Sequence, residues 1–133
     1  MRKKDIKWSN LYLDNEDRKS LIQSFDNKDI SGFSNLVKEF EEETKSFTEC
    51  KYAIACSNGT AALWVAFEAI RIIKNKKLKI AVPTWSYIAP ANAADYVGSL
   101  LLCDSEYKSH NIDPDKINKE ADVTCAVDMA GVP

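Results

Sequence analysis

The turn Ser57-Asn58-Gly59-Thr60 gathers two hydroxyls, a carboxamide and a glycine between a short apolar stretch, 52–56, and a long apolar run, 61–73. A helix beginning here leaves its first N–H groups without intrahelical acceptors. Those groups, with the positive end of the helix dipole, attract anions such as a phosphate ester. Gly59 lets the backbone approach a ligand closely, and Thr60 adds a hydroxyl donor. Ser, Asn and Thr are also ordinary helix caps, so capping and anion binding stand side by side as readings of the turn. Between Ala61 and Ile73 only Glu68 and Arg71 are charged, which predicts a helix buried nearly all round. A buried helix with a polar start aims its dipole at something, and this favours the anion.

The elements that must position this turn follow from caps and periodicity. Asp14 can cap a helix running to about Phe25, and Ser31-Gly32 breaks the chain. Ser34 or Asn35 caps a second helix with an apolar stripe through Leu36, Val37, Phe40, Thr44 and Phe47. Strands are expected at 53–56, 79–82, 100–103 and 123–127. Between them fall the apolar helix, a short helix opened by Pro90 and closed by Gly98, and a third opened by Asp113-Pro114. Strands separated by helices pair in parallel through crossovers, which predicts an α/β fold. Ligands of open α/β sheets bind beyond the carboxyl ends of the strands, so the turns 57–60 and 84–87 can face one pocket. Taken alone, Tyr87 is a core or surface aromatic. Trp85 would project the same way as Tyr87 if the strand continued, and competes for any stacking role.

Composition excludes several classes. Eighteen Lys and Arg against twenty Asp and Glu give a net charge of −2, without the basic excess of a nucleic-acid binder. The lysines at 74, 76, 77 and 79 follow a helix, where they complement its dipole and solvate a loop, or alternatively form a phosphate patch. Arg2, Lys3, Lys4 and Lys7 are not followed by an apolar core, so no secretory signal is expected. No apolar run approaches the roughly 20 residues of a membrane helix, and a cytoplasmic location is the expectation. Cys50, Cys56, Cys103 and Cys125 lack any C-x-x-C spacing and are expected as reduced thiols, buried where the strands run. Cys56, just before a helix start, carries a second reading as an activated nucleophile, with His110 as its base through a tertiary contact. One histidine and no ligand cluster make a metal site improbable.

The segment Ser57-Asn58-Gly59-Thr60-Ala61-Ala62-Leu63 resembles the Ser-Gly-Thr-Ala-Ala-Leu signature of the DegT/DnrJ/EryC1/StrS aminotransferases, pyridoxal-phosphate enzymes that mostly aminate keto-sugar nucleotides. Other stretches match in register. Phe33 to Ala55, with the Phe40-Glu41 pair, is similar to the family's entry helix and first strand. Val82-Pro83-Thr84-Trp85-Ser86-Tyr87 is similar to its second strand and aromatic turn. Tyr96-Val97-Gly98, Cys103-Asp104, Asn111-Ile112-Asp113-Pro114 and the final 125–133 fall in the family's order. Three stretches depart from its pattern: Lys76-Lys77-Leu78-Lys79 replaces Gly-Asp-Glu-Val, Pro90 stands where Thr or Ser is common, and Asp128 where His is frequent.

The resemblance implies the amino-terminal part of the large domain of a fold-type I pyridoxal-phosphate-dependent transferase, a mostly parallel sheet with flanking helices. It divides one incomplete domain into helices over 1–50 and the start of the cofactor-binding α/β region over 51–133. The implied cofactor is pyridoxal 5′-phosphate, its phosphate held by Gly59 and Thr60 with Asn58 in the same turn, its ring against Tyr87. No catalytic residue is assigned, because the family's Schiff-base lysine and pyridine-pairing aspartate fall beyond the matched segment. The implied partners are a nucleotide-sugar substrate, an amino-acid donor and a second copy of the chain in a homodimer. Taken by itself the segment is expected to be inactive, and the alternative is a non-catalytic remnant or phosphate-binding or interaction module of the same fold. An unpaired sheet edge and a bare helix flank are expected to promote association.

Overall fold

The computed structural model describes residues 11–131; Arg2, Lys3, Lys4, Lys7 and the Val132-Pro133 end of the last motif lie outside them. The chain divides into two compact units, Met1–Ala55 and Cys56–Pro133.

The first unit holds α1 (Asn15–Asp26) and α2 (Asn35–Thr48). Asp14 opens α1 with a reciprocal capping box: its carboxylate accepts the Glu16 and Asp17 N–H groups, and the Asp17 carboxylate accepts the Asp14 N–H. The Ser34 hydroxyl caps α2 by accepting the Val37 N–H at 3.3 Å, deciding between the two expected caps. Neither helix contains a buried residue, and Phe40 and Phe47 of the expected stripe remain exposed. Beyond α2, the Glu41 carboxylate accepts the Ala55 N–H at 2.8 Å.

The second unit holds α3 (Gly59–Lys74), β1 (Lys79–Pro83), α4 (Ile88–Val97), β2 (Ser99–Cys103) and β3 (Val123–Thr124), with single 3₁₀ turns at Pro114–Lys116 and Met129–Gly131. The sheet order is β2-β1-β3, and both pairings are parallel. The α/β class expected from the alternation is the observed one. Strand β1 is central and covered on both faces. Ile80 and Val82 face a cluster with Phe67, Ala93, Ala94 and Val97, while Ala81 faces Cys103 and Ile112. Leu78, Ile80 and Val82 are fully buried, each worth about 1.5–3 kcal/mol of transfer free energy.

Several expectations change. Residues 52–56 belong to no strand, because no described strand pairs with them. Strand β3 stops at Thr124 rather than 127: the Cys125 N–H still reaches the Ala81 carbonyl at 2.8 Å, but β1 ends at Pro83, which has no N–H to extend a ladder. The helix after Asp113 shrinks to one 3₁₀ turn, because the Asn118 carboxamide accepts the Glu120 N–H and pulls the backbone into a turn. Helix α4 starts at Ile88, which puts Pro90 at a first-turn position whose missing N–H costs no intrahelical bond. Helix α3 is not buried all round. Leu63, Phe67 and Ile70 form its core stripe, but Trp64, Val65, Ile72 and Ile73 are exposed, since α4 covers only one side. Of the four thiols only Cys103 is buried.

Two local arrangements carry testable consequences. A Cβ at Gly98 would lie 2.3 Å from the Leu78 carbonyl oxygen, where backbone faces backbone at the α4–β2 junction. Gly98→Ala is expected to destabilise the second unit by about 2 kcal/mol or more, read from denaturant unfolding; an unchanged midpoint would contradict this packing. At the opposite edge, Asp122 accepts the Lys79 N–H at 3.0 Å and pairs with Lys76, while Lys79 pairs with Glu120. Two of the four clustered lysines therefore fasten the entry to β3. The Lys76 ammonium and then the Lys79 N–H hold the Asp122 carboxyl below its ordinary value of 3.8. Its contribution is thus complete above that ordinary value and lost as pH falls through the lowered one. Amide exchange at Asp122 and Thr124 should be steady from neutral pH to about pH 5 after correction for intrinsic rates, and protection should fall only in stronger acid.

Candidate functional site

The 57–60 turn folds as a capped helix start. Asn58 has extended backbone and caps α3, its Oδ1 accepting the Ala61 N–H at 2.9 Å and its carbonyl accepting the Ala62 N–H at 3.1 Å. Capping thereby uses one side chain and leaves the next two donors free: the Gly59 and Thr60 N–H groups meet no acceptor among the described residues. Apart from its chain neighbours and its own helix backbone, nothing among the described residues lies within 4 Å of a Cβ added at Gly59, which leaves that side of the helix start open.

After β1 the chain bends rather than continuing as a strand. The Thr84 N–H donates to the Cys103 carbonyl at 2.8 Å, and the Ser86 hydroxyl meets the Pro83 and Tyr87 carbonyls. The bend separates the two aromatic candidates. Trp85 lies with its ring centroid 5.8 Å from that of His110. Tyr87 becomes the first residue before α4, makes no side-chain cap and is 78% exposed.

Gly59, Thr60 and Tyr87 line one cavity of about 490 Å³, together with Leu63, Ala89 and Pro90 and the strand exit Cys125, Ala126 and Val127. This volume falls within the range of small-molecule pockets, about 300–1,000 Å³. The walls are apolar apart from the helix-start donors and the Thr60 and Tyr87 hydroxyls, which suits a flat apolar ring carrying an anion. Asn58 lines a neighbouring cavity of about 530 Å³ with Thr60, Trp64, Asn92 and Tyr96, where the Trp64 and Tyr96 rings meet edge to face at 4.8 Å. The lysines at 74, 76, 77 and 79 line neither cavity.

The 125–127 wall went unnoticed as a site element in the sequence, although the rule that ligands gather at carboxyl strand ends applies to β3 as well as to its neighbours. Leu63 carried a signal too, three residues beyond Thr60 on the same helix face.

The DegT/DnrJ/EryC1/StrS aminotransferase family is matched over residues 11–133. The chain belongs to this family. It is 34% identical over 106 residues to the GDP-perosamine synthase of Caulobacter vibrioides, covering 79% of the present chain and 28% of that protein. In structure it is similar to Helicobacter pylori PseC, an aminotransferase involved in the biosynthesis of pseudoaminic acid, with TM-score 0.83 and 23% identity over 98% of this chain and 36% of the other. It is also similar to a Streptococcus pneumoniae protein solved in its PLP form, with TM-score 0.77 and 20% identity over 96% and 33% of the two chains. The family member described here therefore spans about a third of the length of these relatives. Among the described residues, no helix is long and apolar enough to cross a membrane.

The cavity makes one thiol distinctive. Burial pushes the Cys125 thiol above its ordinary value of 9.0, lowering its thiolate fraction at neutral pH, whereas Cys50 is exposed. Alkylation followed by peptide mass spectrometry should modify Cys125 about tenfold more slowly than Cys50, and the reverse order would contradict the wall's geometry.

Proposed function

We propose that the cavity bounded by Gly59, Thr60 and Tyr87 is the pyridoxal 5′-phosphate cradle of an aminotransferase acting on a keto-sugar nucleotide with an amino-acid donor. The observation that carries this reading is the meeting, in one apolar cavity, of a helix start that keeps two N–H groups unpaired beyond its Asn58 cap and an exposed aromatic ring. The Gly59 and Thr60 N–H groups and the Thr60 hydroxyl bind the phosphate, aided by the dipole of α3. Tyr87 lies against the ring, and Leu63, Pro90 and Val127 keep water from its edges. Asn58 acts indirectly, by holding the first turn in shape. When bound, the cofactor supplies the electron sink that amino-group transfer requires, and the protein's share is binding and orientation.

Family membership supports the aminotransferase class, and the GDP-perosamine synthase likeness supports a nucleotide-sugar substrate. With about a third of its relatives' length, the segment in this reading works in the cytoplasm as part of a homodimer, without nucleic acid, and is inactive by itself. A second reading, a phosphate-binding module without catalysis, draws on the lack of any lysine among the described residues that line the cavity.

Titration of the chain with pyridoxal 5′-phosphate, followed by absorbance, tests the cradle. Thr60→Ala should weaken binding about tenfold, as expected for a hydrogen bond to a charged group. Tyr87→Ala should weaken it by a similar factor and Tyr87→Phe by much less, as stacking requires. Borohydride reduction should fix no stoichiometric adduct on a single lysine. Unchanged affinity in both alanine variants would place the cofactor elsewhere, and a unique reduced lysine would show that this chain carries its own covalent attachment point.

A further inference from the structure

The cavity wall 125–127 is held by little regular structure. Its ladder consists of two residue pairs, Ile80 with Val123 and Ala81 with Thr124, and the last backbone bond to β1 is that from the Cys125 N–H. Beyond it the chain is fastened again at Met129, whose N–H donates to the Asn111 carboxamide Oδ1 at 2.9 Å across 18 residues of sequence. The wall is thus a span pinned at both ends, by the sheet at Cys125 and by one side chain at Met129.

Asn111 is well placed to serve as a fixed point. The loop that carries it closes on itself: the Glu106 N–H donates to the Asn111 carbonyl at 2.8 Å, the Asn111 N–H to the Ser109 hydroxyl at 3.2 Å, and the His110 N–H to the Glu106 carbonyl at 2.9 Å. His110 adopts a left-handed backbone, φ 62°, to make this closure. The next residue, Ile112, is buried against Ala81 and Cys103 and bridges to Ser105. Asn111 is therefore tied directly to the core that supports β1.

We propose that Asn111 is a positioning residue for the ligand cavity, setting the 125–127 wall through the Met129 N–H without touching the ligand. The inference rests on the cradle reading above only for its ligand, pyridoxal 5′-phosphate. Without the peg, the segment after Cys125 is a frayed strand end, which opens locally while the core stays closed.

The test compares the 133-residue chain with Asn111→Ala and Asn111→Asp, reading amide hydrogen exchange residue by residue and pyridoxal 5′-phosphate affinity. Asn111→Ala should speed exchange at Met129 about tenfold or more, with Ile80 and Val82 within about twofold of the parent. Its dissociation constant for the cofactor should rise about fivefold or more, the effect of a mobile wall that must be ordered on binding. Asn111→Asp keeps the acceptor oxygen and should restore both readouts to near parental values. Three results would overturn the proposal: unchanged exchange at Met129, equal acceleration at Ile80 and Val82, or faster Met129 exchange with unchanged affinity. If the parent chain binds no pyridoxal 5′-phosphate, the cradle reading fails. In that case the exchange comparison still decides the peg, because unchanged Met129 exchange refutes it and local acceleration reversed by Asn111→Asp upholds it.

Discussion

Burial of β1 from Ile80 to Pro83 is the constraint on which the second unit depends. Its residues alternate between two apolar clusters, so neither face of the strand can move without opening a core. The neighbouring strands pair with it, α4 packs over it, and α3 reaches it through Phe67. Parallel pairing sends all three strands in one direction. Every chain exit that follows a strand is consequently gathered at one end of the sheet, and the polar and aromatic residues that cannot enter the core collect there.

The candidate site is assembled at that end from chain segments secured in different ways. The start of α3 is shaped by its own cap, with Asn58 satisfying one N–H and leaving two outward. The 84–87 bend is shaped by the last β1–β2 contact and by Ser86, which places Tyr87 ahead of α4. The third segment, 125–127, has a two-residue strand on one side and the Asn111 contact on the other. Regular pairing thus thins from the central strand outward, and the outermost wall of the cavity depends on single contacts.

Much of this was legible in the sequence because the signals were local. Asp14, Ser34 and Asn58 cap as their side chains suggest, and β1 and β2 lie within a residue of their expected bounds. The polar turn and Tyr87 were recognisable from type and order, and the structure brings Gly59, Thr60 and Tyr87 to one cavity, with Asn58 in its neighbour. What escaped was tertiary. The fate of 52–56 as a strand and the exposure of half of α3 depend on which neighbours are present, which residue type does not encode. The length of β3 was set by a proline on the partner strand, and the separation of Trp85 from Tyr87 by a serine-stabilised bend. The contact between Asn111 and Met129 spans 18 positions and has no periodic signature at all.

The most direct measurement is the set of backbone amide shifts that pyridoxal 5′-phosphate induces in the isotopically labelled chain, compared with those induced by pyridoxal, which lacks the phosphate. A cradle at the start of α3 should give its largest phosphate-dependent shifts at Gly59 and Thr60, with Tyr87 and 125–127 responding to both compounds. Phosphate-dependent shifts centred on the lysines around β1, with Gly59 and Thr60 unmoved, would contradict the site.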